Sequence, residues 1–180
     1  MISLNTLLII FVILFAIIGA MRGWAKELLV SSSVILTIFI LTILENYIPI
    51  FKTNVAMQSE STLFWVRSGV LGALVLFAYQ TPNIPRLSTS DRFIRHYLQD
   101  GLLGFVFGAL NGYLIFGTLW YFMDAAGYPL TSIITAPESG SALEQTFQEV
   151  ISLLPPSLLG TPAIYFAVAI AFVFILMAFI

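Results

Sequence analysis

An arginine and an asparagine stand well inside the apolar stretches of this chain. Arg67 lies a little over one turn into the run from Leu63 to Tyr79, and Asn111 lies near the middle of the run from Leu102 to Met123. An arginine at the centre of a membrane span costs about 2.5 to 3.5 kcal/mol on insertion scales. The strongly apolar residues around Arg67, at about −0.3 to −0.6 kcal/mol each, outweigh that cost. Three readings are open for Arg67: snorkelling to the outer surface, an ion pair with Glu60 or Asp124, or a place on a polar path through the membrane. Asn111 reads as an interhelical hydrogen-bonding group or, as the alternative, a ligand contact, because an amide in hydrocarbon needs a partner.

Hydrolysis inside a membrane requires a nucleophile with its base, or paired aspartates, at depth. None of the apolar runs carries an Asp or His at mid-depth, and the chain has no cysteine and a single histidine. Disulfides, thiolate metal sites and cysteine nucleophiles are thereby removed, and zinc lacks a ligand set. His96 reads as a solvated residue of an interfacial helix. The sequence predicts no enzyme, no metal and no cofactor. A net charge of −2 gives no basic footprint for nucleic acid.

The chemistry that the residues do support is close packing. Gly104-Phe-Val-Phe-Gly108-Ala-Leu-Asn-Gly112 repeats glycine every fourth position within the run from Leu102 to Met123. In lipid, where apolar helices gain little by hiding from their surroundings, residues without side chains let two backbones approach and gain dispersion contacts. Gly19 and Gly23, at the end of the first apolar run, are further candidate packing positions, and the glycine face is open to packing within one chain or between two.

These groups need membrane helices to position them. The chain is 59% hydrophobic and 9% charged, with a mean hydropathy of +1.01, whereas soluble domains are about 25% charged. A helix crosses the hydrocarbon in about 20 residues, and five runs qualify: Leu4 to Met21, Leu28 to Leu44, Leu63 to Tyr79, Leu102 to Met123, and Ala163 to Ile180. The first is expected to persist as an anchor, since no cation precedes it and Arg22 and Lys26 follow it. The predicted fold is an all-α polytopic transmembrane bundle, with a four-helix core, a C-terminal fifth span and short amphipathic interfacial helices.

Cations fix the expected orientation. Arg22 and Lys26 follow the first span and Arg86, Arg92 and Arg95 the third, while the other connections hold Lys52 and the acids Glu45, Glu60, Asp124, Glu138, Glu144 and Glu149. The positive-inside rule then places the N-terminus outside and the C-terminus in the cytosol. Trp24 and Trp120 fall at span ends, where aromatic belts form. After Pro82 and Pro85, Ser90 can cap an interfacial helix with Phe93, Ile94, Tyr97 and Leu98 on one face and Arg92, Arg95 and Gln99 on the other. Ser141 and Glu144 form a capping box for a second amphipathic helix carrying Leu143, Phe147, Val150, Ile151 and Leu154, which Pro155 and Pro156 stop. Its acidic face is not drawn to anionic lipid, so it is expected to lie on its own bundle or meet a partner.

Two segments resemble a known family. Met21-Arg-Gly-Trp-Ala-Lys-Glu-Leu-Leu29 is similar to the R-G-F-x-R-E-x-L signature that follows the first span of the colicin V production protein (CvpA-like) family, and Leu103-Gly-Phe-Val-Phe-Gly-Ala-Leu-Asn-Gly-Tyr-Leu-Ile115 is similar to that family's L-G-x-x-x-G-x-x-x-G-x-L-I segment, with Asp100 four residues before the first glycine. Asn5 stands where the family usually has Asp, and Asn111 where Arg is common. The resemblance covers about Leu4 to Asp124. It implies a multi-pass bacterial inner-membrane protein linked to toxin production or export and envelope maintenance. Residues 1–124 then form the family-like core, 125–157 an extracytoplasmic connection and 158–180 the last span. The functional expectation is an accessory or scaffold protein, with a small transporter or channel component as the alternative. Its partners would be the bilayer and a membrane protein or a second copy, with Arg22 and Lys26 as topology anchors or a docking surface.

Overall fold

The computed structural model describes residues 4–49, 59–80, 93–130, 134 and 142–179. Among them the chain is helical, without a strand, and seven helices follow one another: α1 (Leu4–Arg22), α2 (Trp24–Tyr47), α3 (Glu60–Tyr79), α4 (Phe93–Ala125), α5 (Ala142–Ser152), α6 (Pro155–Leu158) and α7 (Ala163–Phe179). Four of them, α1, α2, α3 and the Leu98–Ala125 part of α4, are long and apolar enough to cross a membrane. The protein is thus an all-α helical bundle compatible with membrane insertion. The fifth apolar run forms α7, whose 17 residues sit at the lower limit of spanning length.

Local sequence sets the ends of these helices. Gly23, with φ 88°, is the single residue between α1 and α2, a left-handed position that a residue with a Cβ resists. Ser59 caps α3 by accepting from the Thr62 N–H at 3.3 Å. Gly127 and Tyr128 both take positive φ, 63° and 58°, and close the end of α4 with Tyr128 N–H donating to the Met123 carbonyl and Gly127 N–H to Asp124, each at 2.9 Å. Tyr128 is buried there, and its hydroxyl accepts from Trp120 Nε1 at 3.4 Å. Burial pushes the Tyr128 phenol up to about 12.

α4 is the centre of the bundle. It packs most extensively on α1 and also meets α2, α3 and α6, while α2 carries α7 on its other side. The core runs through Val30, Val34, Leu71, Leu114, Trp120, Leu154 and Ile164. Outside it, large apolar side chains face outward along whole helices: Ile9, Ile13 and Ile17 on α1, Trp65 and Phe77 on α3, Phe105 and Val106 on α4. In water such a surface would be an extended apolar patch; in a bilayer it meets its solvent.

Two expectations change. The break between an interfacial helix at Phe93 to Leu98 and the fourth span does not occur, because α4 runs unbroken for 33 residues. Gly101 costs such a helix about 1 kcal/mol, too little to stop it where no proline intervenes. Ser90, Arg92 and the side chains of Phe93, Ile94, Arg95, His96 and Tyr97 lie outside the described residues. Trp120 does not join an outer belt: it is fully buried, edge-on to Phe147 of α5 with ring centroids 5.6 Å apart. That contact seats α5 on its own bundle, with Ile151 and Leu154 buried and Gln148 and Glu149 exposed. The capping residue Ser141 lies outside the described residues.

Candidate functional site

The glycines act within one chain. Gly19 of α1 lies against Gly104 and Gly108 of α4, and a Cβ on Gly108 would overlap the Phe15 carbonyl. One on Gly112 would stand 2.6 Å from the carbonyl oxygen of Phe11. Real side chains do not tolerate such approaches, so the four-residue repeat on α4 and Gly19 on α1 let the two backbones touch. Gly23 extends the seam: its Cβ would lie 2.6 Å from an Asp100 carboxylate oxygen. Asp100 also accepts from the Trp24 N–H at 3.3 Å. A carboxylate from α4 therefore serves the exposed N-terminus of α2, where Gly23 has no side chain with which to cap.

One turn further along α2 is Glu27, which is completely buried. Its Oε1 accepts from Arg22 Nη1 at 2.5 Å. Its Oε2 accepts from Asn111 Nδ2 at 2.7 Å and from the Tyr79 hydroxyl at 3.4 Å. Asn111 Nδ2 donates as well to the Glu27 backbone carbonyl at 2.9 Å, and Asn111 Oδ1 accepts from Ser31 at 2.6 Å. Arg22 in turn donates from Nη2 to the carbonyl of Tyr79, the last residue of α3, at 3.1 Å and lies 4.2 Å over the Tyr79 ring. The charges suit their places, since the carboxylate sits in the first turn of α2 and the guanidinium at the C-terminus of α3. Four helices meet at this one carboxylate. A buried carboxylate is tolerable when it is both paired and hydrogen-bonded, and Glu27 is both.

No family model, curated protein or solved structure matches this chain.

At the other end of α2 a second acid meets a second arginine. Arg67 donates from Nε and Nη2 to the two oxygens of Glu45 at 2.8 and 3.0 Å, a bidentate pair. The expected partners Glu60 and Asp124 are not used. Glu60 begins the same helix seven residues earlier, about 10 Å along the axis at 1.5 Å per residue, whereas Glu45 faces Arg67 across the α2–α3 contact. The pair is partly open, with the Arg67 side chain 17% and the Glu45 side chain 29% exposed. It borders a cavity of about 300 Å³ lined by residues of α2, α3 and α4 and by the segment from Pro156 to Thr161.

Of the positions singled out in the sequence, Gly19, Gly23, Gly104, Gly108 and Gly112 come together in the seam, and Asn111 makes the expected interhelical bonds. Arg22 joins them from α1, turned inward with its side chain 20% exposed. Lys26 is half-buried beside it on α2. Arg67 stands apart. Sequence reasoning missed Glu27, Ser31 and Tyr79. The signal for Glu27 was present: an acid followed at once by Leu28, Leu29 and Val30, on the helix face that continues through Ser31 and Val34.

Proposed function

We propose that the protein is a CvpA-like multi-pass membrane scaffold or accessory subunit, with a role in toxin production and envelope maintenance, inserted in a bacterial inner membrane with its N-terminus outside and its C-terminus in the cytosol. The supporting observation is that the polar groups at the Glu27 junction are spent on one another. Asn111, the polar residue nearest mid-span, uses its amide on Glu27 and Ser31. A path for a solute needs polar groups that can exchange partners; a scaffold needs rigid helices and outward surfaces. The apolar flanks of α1 and α3 supply such surfaces to a partner in the membrane.

Cross-linking in native membranes followed by purification tests this reading. A partner recovered repeatedly with the intact chain is the expected result. Solute flux in liposomes by the chain alone, with no recurrent partner, would replace it with the transporter reading. Orientation is tested separately in the cysteine-free background: Ser88→Cys should label from the cytosolic side and Ser139→Cys from the outer side. A C-terminal tag detected outside would mean that α7 does not cross.

A further inference from the structure

The cavity beside Glu45 and Arg67 carries both signs of charge at one wall. Its volume, about 300 Å³, is at the small end of ligand sites, the size of a headgroup rather than of a whole lipid. Because Arg67 and Glu45 neutralise each other, a simple anion or cation would have to displace one partner to gain the other. A ligand that carries both charges close together need not. Arg67 gives Nε and Nη2 to Glu45, so Nη1 stays outside that pair, and each carboxylate oxygen of Glu45 retains a further lone pair. Tyr121 and Thr161 add hydroxyls and Asn46 an amide to the same lining.

Position narrows the ligand further. The cavity lies where α2 and α4 end and just ahead of the start of α7, and Tyr47 and Tyr165 share a hydrogen bond of 2.8 Å between these same ends of α2 and α7. Tyrosines at helix ends belong at the level of lipid headgroups. The remaining wall is apolar, with Leu41, Phe122 and Leu159, which suits the glycerol and upper acyl carbons beneath a headgroup.

We propose that this cavity binds the headgroup of a zwitterionic aminophospholipid, its primary ammonium on Glu45 and its phosphate on Arg67. The ammonium must be primary because a carboxylate gains a charge-assisted hydrogen bond from N–H groups and none from a trimethylated nitrogen. The assignment does not depend on the scaffold role.

The test is retention of lipid by the purified full chain in native mass spectrometry, with phosphatidylethanolamine, phosphatidylcholine and phosphatidylglycerol offered in equal amounts. Phosphatidylethanolamine should be retained about tenfold over either of the others, the ratio that one charge-assisted hydrogen bond supplies. Glu45→Gln combined with Arg67→Gln, which removes both charges but keeps hydrogen-bonding amides, should level the three lipids. Ala125→Phe, which fills the cavity from the end of α4 and leaves the pair in place, should reduce phosphatidylethanolamine retention to that of the other two. Equal retention by the wild-type chain, or an undiminished preference in the Ala125→Phe variant, would overturn the proposal. Displacement of the lipid by soluble glycerophosphoethanolamine at equal concentration would overturn the lipid as source and assign the cavity to a free zwitterion.

Discussion

Glu27 and Glu45 stand near opposite ends of the same helix, each facing an arginine, yet their surroundings differ sharply. The Glu27 carboxylate is sealed under the α1–α4 glycine seam, with an amide, a phenol and a guanidinium all directed at it. Glu45 meets its arginine in a bidentate pair beside an open cavity and keeps part of its surface exposed. The same two residue types therefore do different work. Where a fully buried carboxylate is held by donors from three neighbouring helices, the ion pair fastens helices; where acceptors are left over beside a cavity, the pair can also bind.

The largest effect should come from breaking the sealed pair. Arg22→Leu leaves a buried carboxylate without its cation, and removal of one partner from a buried pair costs about 3 to 5 kcal/mol. Thermal unfolding in detergent should show this as a large loss, and a variant as stable as wild type would mean that the Arg22–Glu27 pair does not hold the helices together. Next should come the seal itself. Gly108→Leu drives a side chain into the Phe15 backbone, and overpacking of this kind costs about 1 to 3 kcal/mol or more. Phe107→Leu, on a different face, should cost less than about 1.5 kcal/mol, and equal stability of the two variants would show that the seam is not close-packed.

Asn111→Leu tests how far the junction depends on its amide. It deprives buried acceptors on Glu27 of a donor, at a cost of about 1 to 3 kcal/mol, measured in the same unfolding assay. The smallest effect belongs to the open pair. Arg67→Gln should cost about 1 kcal/mol, near the value for exposed ion pairs. The open pair should also respond to salt: raising NaCl should shrink the difference between wild type and Arg67→Gln while leaving that between wild type and Arg22→Leu almost unchanged, because screening reaches exposed charges first. Equal salt dependence at both ends would erase the distinction drawn between them.

Much of the architecture was legible in the sequence because it depends on properties summed over many residues. The apolar runs lead to α1 through α4 and α7 with ends displaced by only a few residues, except the start of α4, which lies nine residues earlier, and the four-residue glycine repeat marked the face of α4 that packs closely. Single side chains were harder to place. Glu27 stands next to a connection, and its burial follows from α4, which packs on both α1 and α2 and brings Asn111 onto the acid. Pairing with Glu60 or Asp124 was one reading of Arg67, but finding Glu45 required knowing which helix lies across from α3. The continuity of α4 through Gly101 was hidden because amphipathic and spanning stretches differ in periodicity, not in helicity.

The single-residue turn at Gly23 also bears on the order in which the molecule can be assembled. Arg22 and Glu27 are five positions apart, so the tip of the first hairpin carries its own counterion as it leaves the ribosome. The Arg22 charge can be offset while α3 and α4 are still unsynthesised. Glu45 must wait for Arg67, 22 positions later, and Asn111 reaches Glu27 only 84 positions on. The bend between α1 and α2 thus reaches the membrane with Arg22 and Glu27 already able to pair and with Lys26 keeping it cationic, and the later helices close around a tip that biosynthesis delivers first.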